Sequence, residues 1–151
     1  MPVVPGMEMC HWPFRKTSSK NWPKLLGLLL EGKPVKADQA IDWLLDYAGS
    51  MEEALQMAWK IATDGEAVLP RRKLKEDKLK EVSSEISGLS ESDDLATIAA
   101  RKAILESVRN CCDATLSEAL ALQAKHSAAF MATPHCQNGI VGTEYKKTMI
   151  V

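Results

Sequence analysis

Two adjacent pairs, Cys10-His11 and His135-Cys136, carry the side chains with the clearest capacity for chemistry. If they converged they would offer four metal ligands. Neighbouring side chains diverge along the backbone, however, and zinc sites usually space their ligands by two or more residues. Packing cysteines and surface histidines are the favoured reading, and no metal is expected. Nucleophilic Cys-His catalysis is no better placed, because no acid or oxyanion motif stands beside either pair. With Cys111 and Cys112 the chain has four cysteines and no CxxC spacing, which points to reduced thiols in a cytoplasmic protein. The run RRKLKEDKLK from Arg71 to Lys80 is basic but interrupted by Glu76 and Asp77, so it reads as a solvated face. Trp12, Trp22, Trp43 and Trp59 read as core or interface anchors. The methionines read as packing.

The elements that would position these residues are helical. Asn21 is placed to cap a helix from about Trp22, with Pro23 in the first turn, where its missing N–H is harmless. Leu25, Leu26, Leu28, Leu29 and Leu30 surround that helix, which predicts burial, and Gly32 ends it. A second helix is expected over about Ala37 to Tyr47, with Ile41, Leu44 and Leu45 on one face. Ser50 and Glu53 form a capping box for a third, whose apolar stripe is Leu55, Ala58, Trp59 and Ala62 and whose stop is Asp64-Gly65. A fourth runs from about Asp93 to Cys112, with Leu95, Ile98, Ala99, Ile104, Leu105 and Val108 inward. Thr115 and Glu118 open a fifth that reaches Met131 before Pro134. The segment from Met1 to Ser19 is broken by Pro2, Pro5, Gly6 and Pro13 and reads as a loop. No useful β-alternation and no fixed-period repeat is visible, so the expected class is mainly α with little or no sheet.

The order of these features resembles the C-terminal helical part of the crotonase (enoyl-CoA hydratase/isomerase) superfamily. Gly32, Val35, Ala37 and Ala40 stand at matching offsets, although Leu44-Leu45-Asp46 replaces the usual Gly-Leu-Val. Pro5-Gly6 and Trp12-Pro13-Phe14-Arg15 are similar to the family's active-site edge, one residue short in spacing. Leu116-Ser117-Glu118-Ala119, Phe130, Thr133, Gly139 and Lys146-Lys147 follow in the family's order, with Asn138 in place of an acid. The resemblance implies an acyl-CoA substrate and no other cofactor. It gives Glu8, just after Pro5-Gly6, the place of an isomerase carboxylate that would shuttle a proton beside a thioester. It gives Lys146 and Lys147 the CoA phosphates. Pro5 and Gly6 would line the substrate. A solvated loop glutamate and solvated lysines are the plain alternatives. The family's ββα core, with its oxyanion donors and acidic pair, would precede Met1.

The 151-residue length suits one domain, and 46% hydrophobic with 26% charged residues is ordinary for a globular chain. A formal net charge of −1 gives no reason to expect a nucleic-acid surface, and no apolar run is long enough for a membrane span. No signal peptide is visible. The expected organisation is a loop over 1–20, a helical segment over 21–65, a charged insertion over 66–94 and a C-terminal helical segment over 95–151 for oligomerisation. The function implied is part of an acyl-CoA hydratase/isomerase-like protein that covers the acyl-CoA site and makes subunit contacts, without catalysis on its own. Its partner would be further copies, as a trimer or hexamer, or a complementary N-terminal crotonase chain. The other reading is a non-enzymatic helical protein–protein interaction module.

Overall fold

The computed structural model describes residues 4–6, 8–32, 34–65, 68–69, 71–79 and 94–138. The described residues are mainly helical and include no β-strand. The helices are α1 (Trp12–Lys16), α2 (Trp22–Glu31), α3 (Ala37–Ala40), α4 (Met51–Asp64), α5 (Leu95–Cys112) and α6 (Leu116–Met131). A 3-10 turn, Ser19–Asn21, leads into α2, and a further helical turn covers 134–138.

Local signals set most of these boundaries. Pro23 lies in the first turn of α2, and Gly32 ends the helix at φ 63, ψ 23 while its N–H reaches the Leu28 carbonyl at 2.9 Å. That left-handed cap suits glycine. Asn21 flanks the helix as expected, but its side chain makes no cap bond and donates to Ser18 Oγ instead. In α4 the Ser50 N–H donates to Glu53 Oε2 at 2.7 Å, and the Glu53 N–H returns to Ser50 Oγ at 3.2 Å. Asp94 caps α5 by accepting from the N–H groups of Ala96 and Thr97. At the start of α6 both the N–H and the hydroxyl of Thr115 donate to Glu118 Oε2.

The core gathers Phe14, Trp22, Leu25 and Leu26 from the N-terminal third against Ile104, Leu105, Val108 and Cys112 of α5. Trp43 and Leu79 close it from the connecting segments, and Phe130 and Cys136 from the C-terminal side. Leu28, Leu29 and Leu30 are only partly buried and Pro23 and Lys24 are exposed, so α2 buries one side, through Trp22, Leu25 and Leu26, rather than its whole circumference. Leu95, expected inward, is exposed at the start of α5.

Two further expectations are corrected. The helix foreseen over Ala37 to Tyr47 stops at Ala40, and residues 41–44 form turns. The Trp43 carbonyl, which would have continued the ladder, accepts the Thr17 hydroxyl at 2.6 Å. Asp46 is drawn toward Lys16 and Arg72. Tertiary bonds thus override a weak local propensity. The second correction is α4. No residue of it is buried. Its half-buried positions are Ala54, Met57 and Ile61, while the expected stripe of Leu55, Ala58, Trp59 and Ala62 faces outward.

Candidate functional site

Arg15 is the centre of the buried polar structure. It lies in the last turn of α1 with no exposed surface. Its Nη1 donates to the carbonyls of Lys75, Glu76 and Asp77 at 3.1, 3.3 and 2.8 Å. Its Nη2 donates to the carbonyls of Cys111 and Ala114 at 3.0 and 2.6 Å. The fifth N–H, on Nε, points to His11 Nδ1 at 3.3 Å. Backbone bonds reinforce the junction: the Lys75 N–H reaches Arg15 O, the Leu79 N–H reaches Cys112 O, and the Leu116 N–H reaches Glu76 O. The charged side chains of 71–79 lie mostly outside, yet the backbone of this stretch is stitched to α1 and to the α5–α6 turn.

The bond from Arg15 requires His11 Nδ1 to accept, which places the imidazole proton on Nε2. That Nε2 is buried and has no hydrogen-bond partner among the described residues. The nearest carboxylate oxygen, Glu8 Oε2, stands 3.9 Å away, beyond hydrogen-bond reach. Burial, and secondly the Arg15 charge, depress the His11 pKa to about 4. The ring is therefore neutral at pH 7, and the Glu8 contact is no ion pair there.

Glu8 has φ 63, the only positive φ of a non-glycine among the described residues. Such strain is more frequent at functional positions. Here the Glu8 carbonyl accepts the N–H groups of His11 and Trp12 and so opens α1. Pro5 and Gly6 serve the same turn. The Pro5 carbonyl accepts Gln123 Nε2 at 2.8 Å, and the Gly6 carbonyl accepts the Met9 N–H at 3.2 Å. Gln123 Oε1 in turn accepts the Cys10 N–H at 3.1 Å, which fastens the N-terminal loop to α6. Lys146 and Lys147 lie outside the described residues.

Cys10 and Cys136 are buried in one cluster, but His135 is exposed and His11 is committed to Arg15. The two Cys-His pairs therefore do not converge as a ligand set. No group of three or more His, Cys, Asp or Glu among the described residues could hold a metal. Burial raises the Cys10 thiol to about 11 and Cys112 to about 12, and raises Cys111 as well. None of these three is a ready nucleophile at neutral pH.

Two surface features were not foreseen as sites. One is α4, which exposes Met51 at 77%, Leu55 at 64% and Trp59 at 71%. These lie at i, i+4 and i+8, on one side of the helix. The other is a cleft of about 420 Å³ lined by Trp12, Lys16, Arg71, Arg72, Lys73, Leu74 and Glu76. At its edge Asp46 accepts Lys16 Nζ at 2.6 Å and Arg72 Nε at 2.8 Å. Burial alone would raise the Asp46 pKa, but hydrogen bonds from Lys16 and Arg72 and the Lys16 charge outweigh it and hold the carboxyl at about 2.

No protein-family model, curated protein or solved structure matches this chain. No helix among the described residues is long and apolar enough to cross a membrane.

Proposed function

We propose that the chain acts by association, as the helical, non-catalytic part of a crotonase-type acyl-CoA protein. The observation that carries the association is the outward apolar face of α4. Met51, Leu55 and Trp59 together expose on the order of 400 Å² of apolar surface, the size at which patches become interaction sites. Its occupant is a second copy of the chain. The helix carries Glu52 and Glu53 in its first turn and Lys60 further on. A two-fold antiparallel pairing sets the acidic end of each helix beside the lysine of the other and the apolar stripe against itself. The patch is about half of the ~800 Å² per partner that a stable interface buries, so α4 alone supports only a weak dimer.

The crotonase reading rests on the order of Pro5-Gly6, Trp12-Pro13-Phe14-Arg15 and an apolar helix ended by Gly32 before Ala37. The left-handed Gly32 cap is compatible with it. Among the described residues no acidic pair or set of oxyanion donors is assigned, and the reading leaves that chemistry to another part of such a protein.

Sedimentation velocity over a hundredfold range of concentration tests the association. A reversible monomer–dimer shift is expected, abolished by Leu55→Ser with Trp59→Ser. A monomer throughout would overturn it, as would a dimer indifferent to both substitutions. The isolated chain is expected not to hydrate crotonyl-CoA, and turnover near that of a complete hydratase would refute the non-catalytic assignment.

A further inference from the structure

We propose that the cleft beside Trp12 binds a nucleoside diphosphate, with the phosphates on its cations and the base on the indole. Four cations line it, Lys16, Arg71, Arg72 and Lys73, against the carboxylates of Glu76 in the wall and Asp46 at the edge. In a chain of formal net charge −1 this is a local concentration of positive charge. The arrangement is partly fixed in advance. Asp46 holds Lys16 and Arg72 together, and one carboxylate cannot neutralise both. It occupies only Nε of the Arg72 side chain, and among the described residues the two terminal nitrogens make no hydrogen bond. A guanidinium fork of that kind suits phosphoryl oxygens, which it can engage in two parallel bonds.

The aromatic wall limits the ligand further. Trp12 keeps 40% of its surface exposed although its neighbours Pro13 and Phe14 are buried. Lys16 Nζ sits 5.3 Å from the ring centroid, joining the cationic and aromatic parts of the cleft. A base stacked on an exposed indole gains a sequence-tolerant contact that a bare anion cannot use. The cleft volume lies within the range of small-molecule sites. These residues carry the site whether or not α4 has a partner.

Calorimetric titration with ADP, pyrophosphate and adenosine on the full chain tests the assignment. ADP should bind more tightly than either half, and its affinity should fall with added NaCl. Lys73→Gln should weaken ADP about tenfold, the loss of one charge-assisted contact. Trp12→Leu should weaken ADP and leave pyrophosphate unchanged. Thermal melts of both variants separate binding loss from unfolding, and Lys73, being exposed, should leave the melt unaltered. Three outcomes overturn the site: no heat with millimolar ADP, pyrophosphate as tight as ADP, or ADP affinity indifferent to Lys73→Gln.

Discussion

The Arg15 junction and α4 are opposite solutions to the same difficulty. Arg15 is a charged side chain taken wholly out of water, yet each of its N–H groups has an acceptor. In α4 large apolar side chains stay in water. One region is over-determined by the fold and the other is hardly used by it. Residue type alone would have ranked them the other way round. A buried cation is tolerable because five carbonyls answer it, and an exposed tryptophan is tolerable because its helix is held by caps rather than by its apolar face.

The sharpest way to break this contrast is at Arg15. Arg15→Met should destabilise the fold by about 3–5 kcal/mol, because the buried Cys111 and Ala114 carbonyls lose their donor and the tie from α1 to residues 75–77 is cut. Chemical denaturation measures it, and a loss below 1 kcal/mol would remove Arg15 from the centre of the structure. His11 provides a pH test of the same region. Its pKa is lowered on folding, so the unfolded chain binds the extra proton first. Stability should be full above about pH 6.5 and fall between there and about pH 4, by up to about 3 kcal/mol. A flat stability profile over that window would contradict a buried neutral ring.

Glycine caps give a smaller effect with a defined order. Gly32 and Gly65 both have positive φ, but Gly65 combines φ 84 with ψ 179, a region almost closed to other residues. Gly32→Asn should cost under about 1 kcal/mol and Gly65→Asn about 1–3 kcal/mol. Paired thermal melts decide the order. The smallest effect is expected on α4 itself. Leu55→Ser and Trp59→Ser should change the stability of the monomer by no more than about 0.5 kcal/mol, because neither is buried by the fold. A large loss would mean that α4 packs more tightly than its exposure indicates.

What the sequence made legible was local. Ser50 with Glu53, Thr115 with Glu118, and Gly32 act on groups within four residues, and each lies where its type and spacing placed it. The mainly helical class followed from the same signals. What was not legible was the meeting of distant backbone groups. The acceptors of Arg15 are carbonyls, which every residue owns, so no pattern marks Lys75 or Ala114 as its partner. Trp12-Pro13-Phe14-Arg15 was read as one edge, yet Phe14 and Arg15 are buried while Trp12 faces the cleft. The stripe of α4 was legible as apolar, but periodicity does not say whether a face meets its own chain. The run after Arg71 looked merely solvated because Lys16 and Trp12, which complete its cleft, lie over fifty residues away.

The carbonyl cage around Arg15 also sets an order in time. Its acceptors at Lys75, Cys111 and Ala114 lie 60, 96 and 99 residues along the chain. At synthesis rates of ~5–20 residues per second, Arg15 waits roughly 5–20 s for the last of them. During that interval the guanidinium has only water and early neighbours to bond. The N-terminal third therefore acquires its final form when the α5–α6 turn arrives, and a nascent chain stopped before Ala114 should remain open to protease around α1.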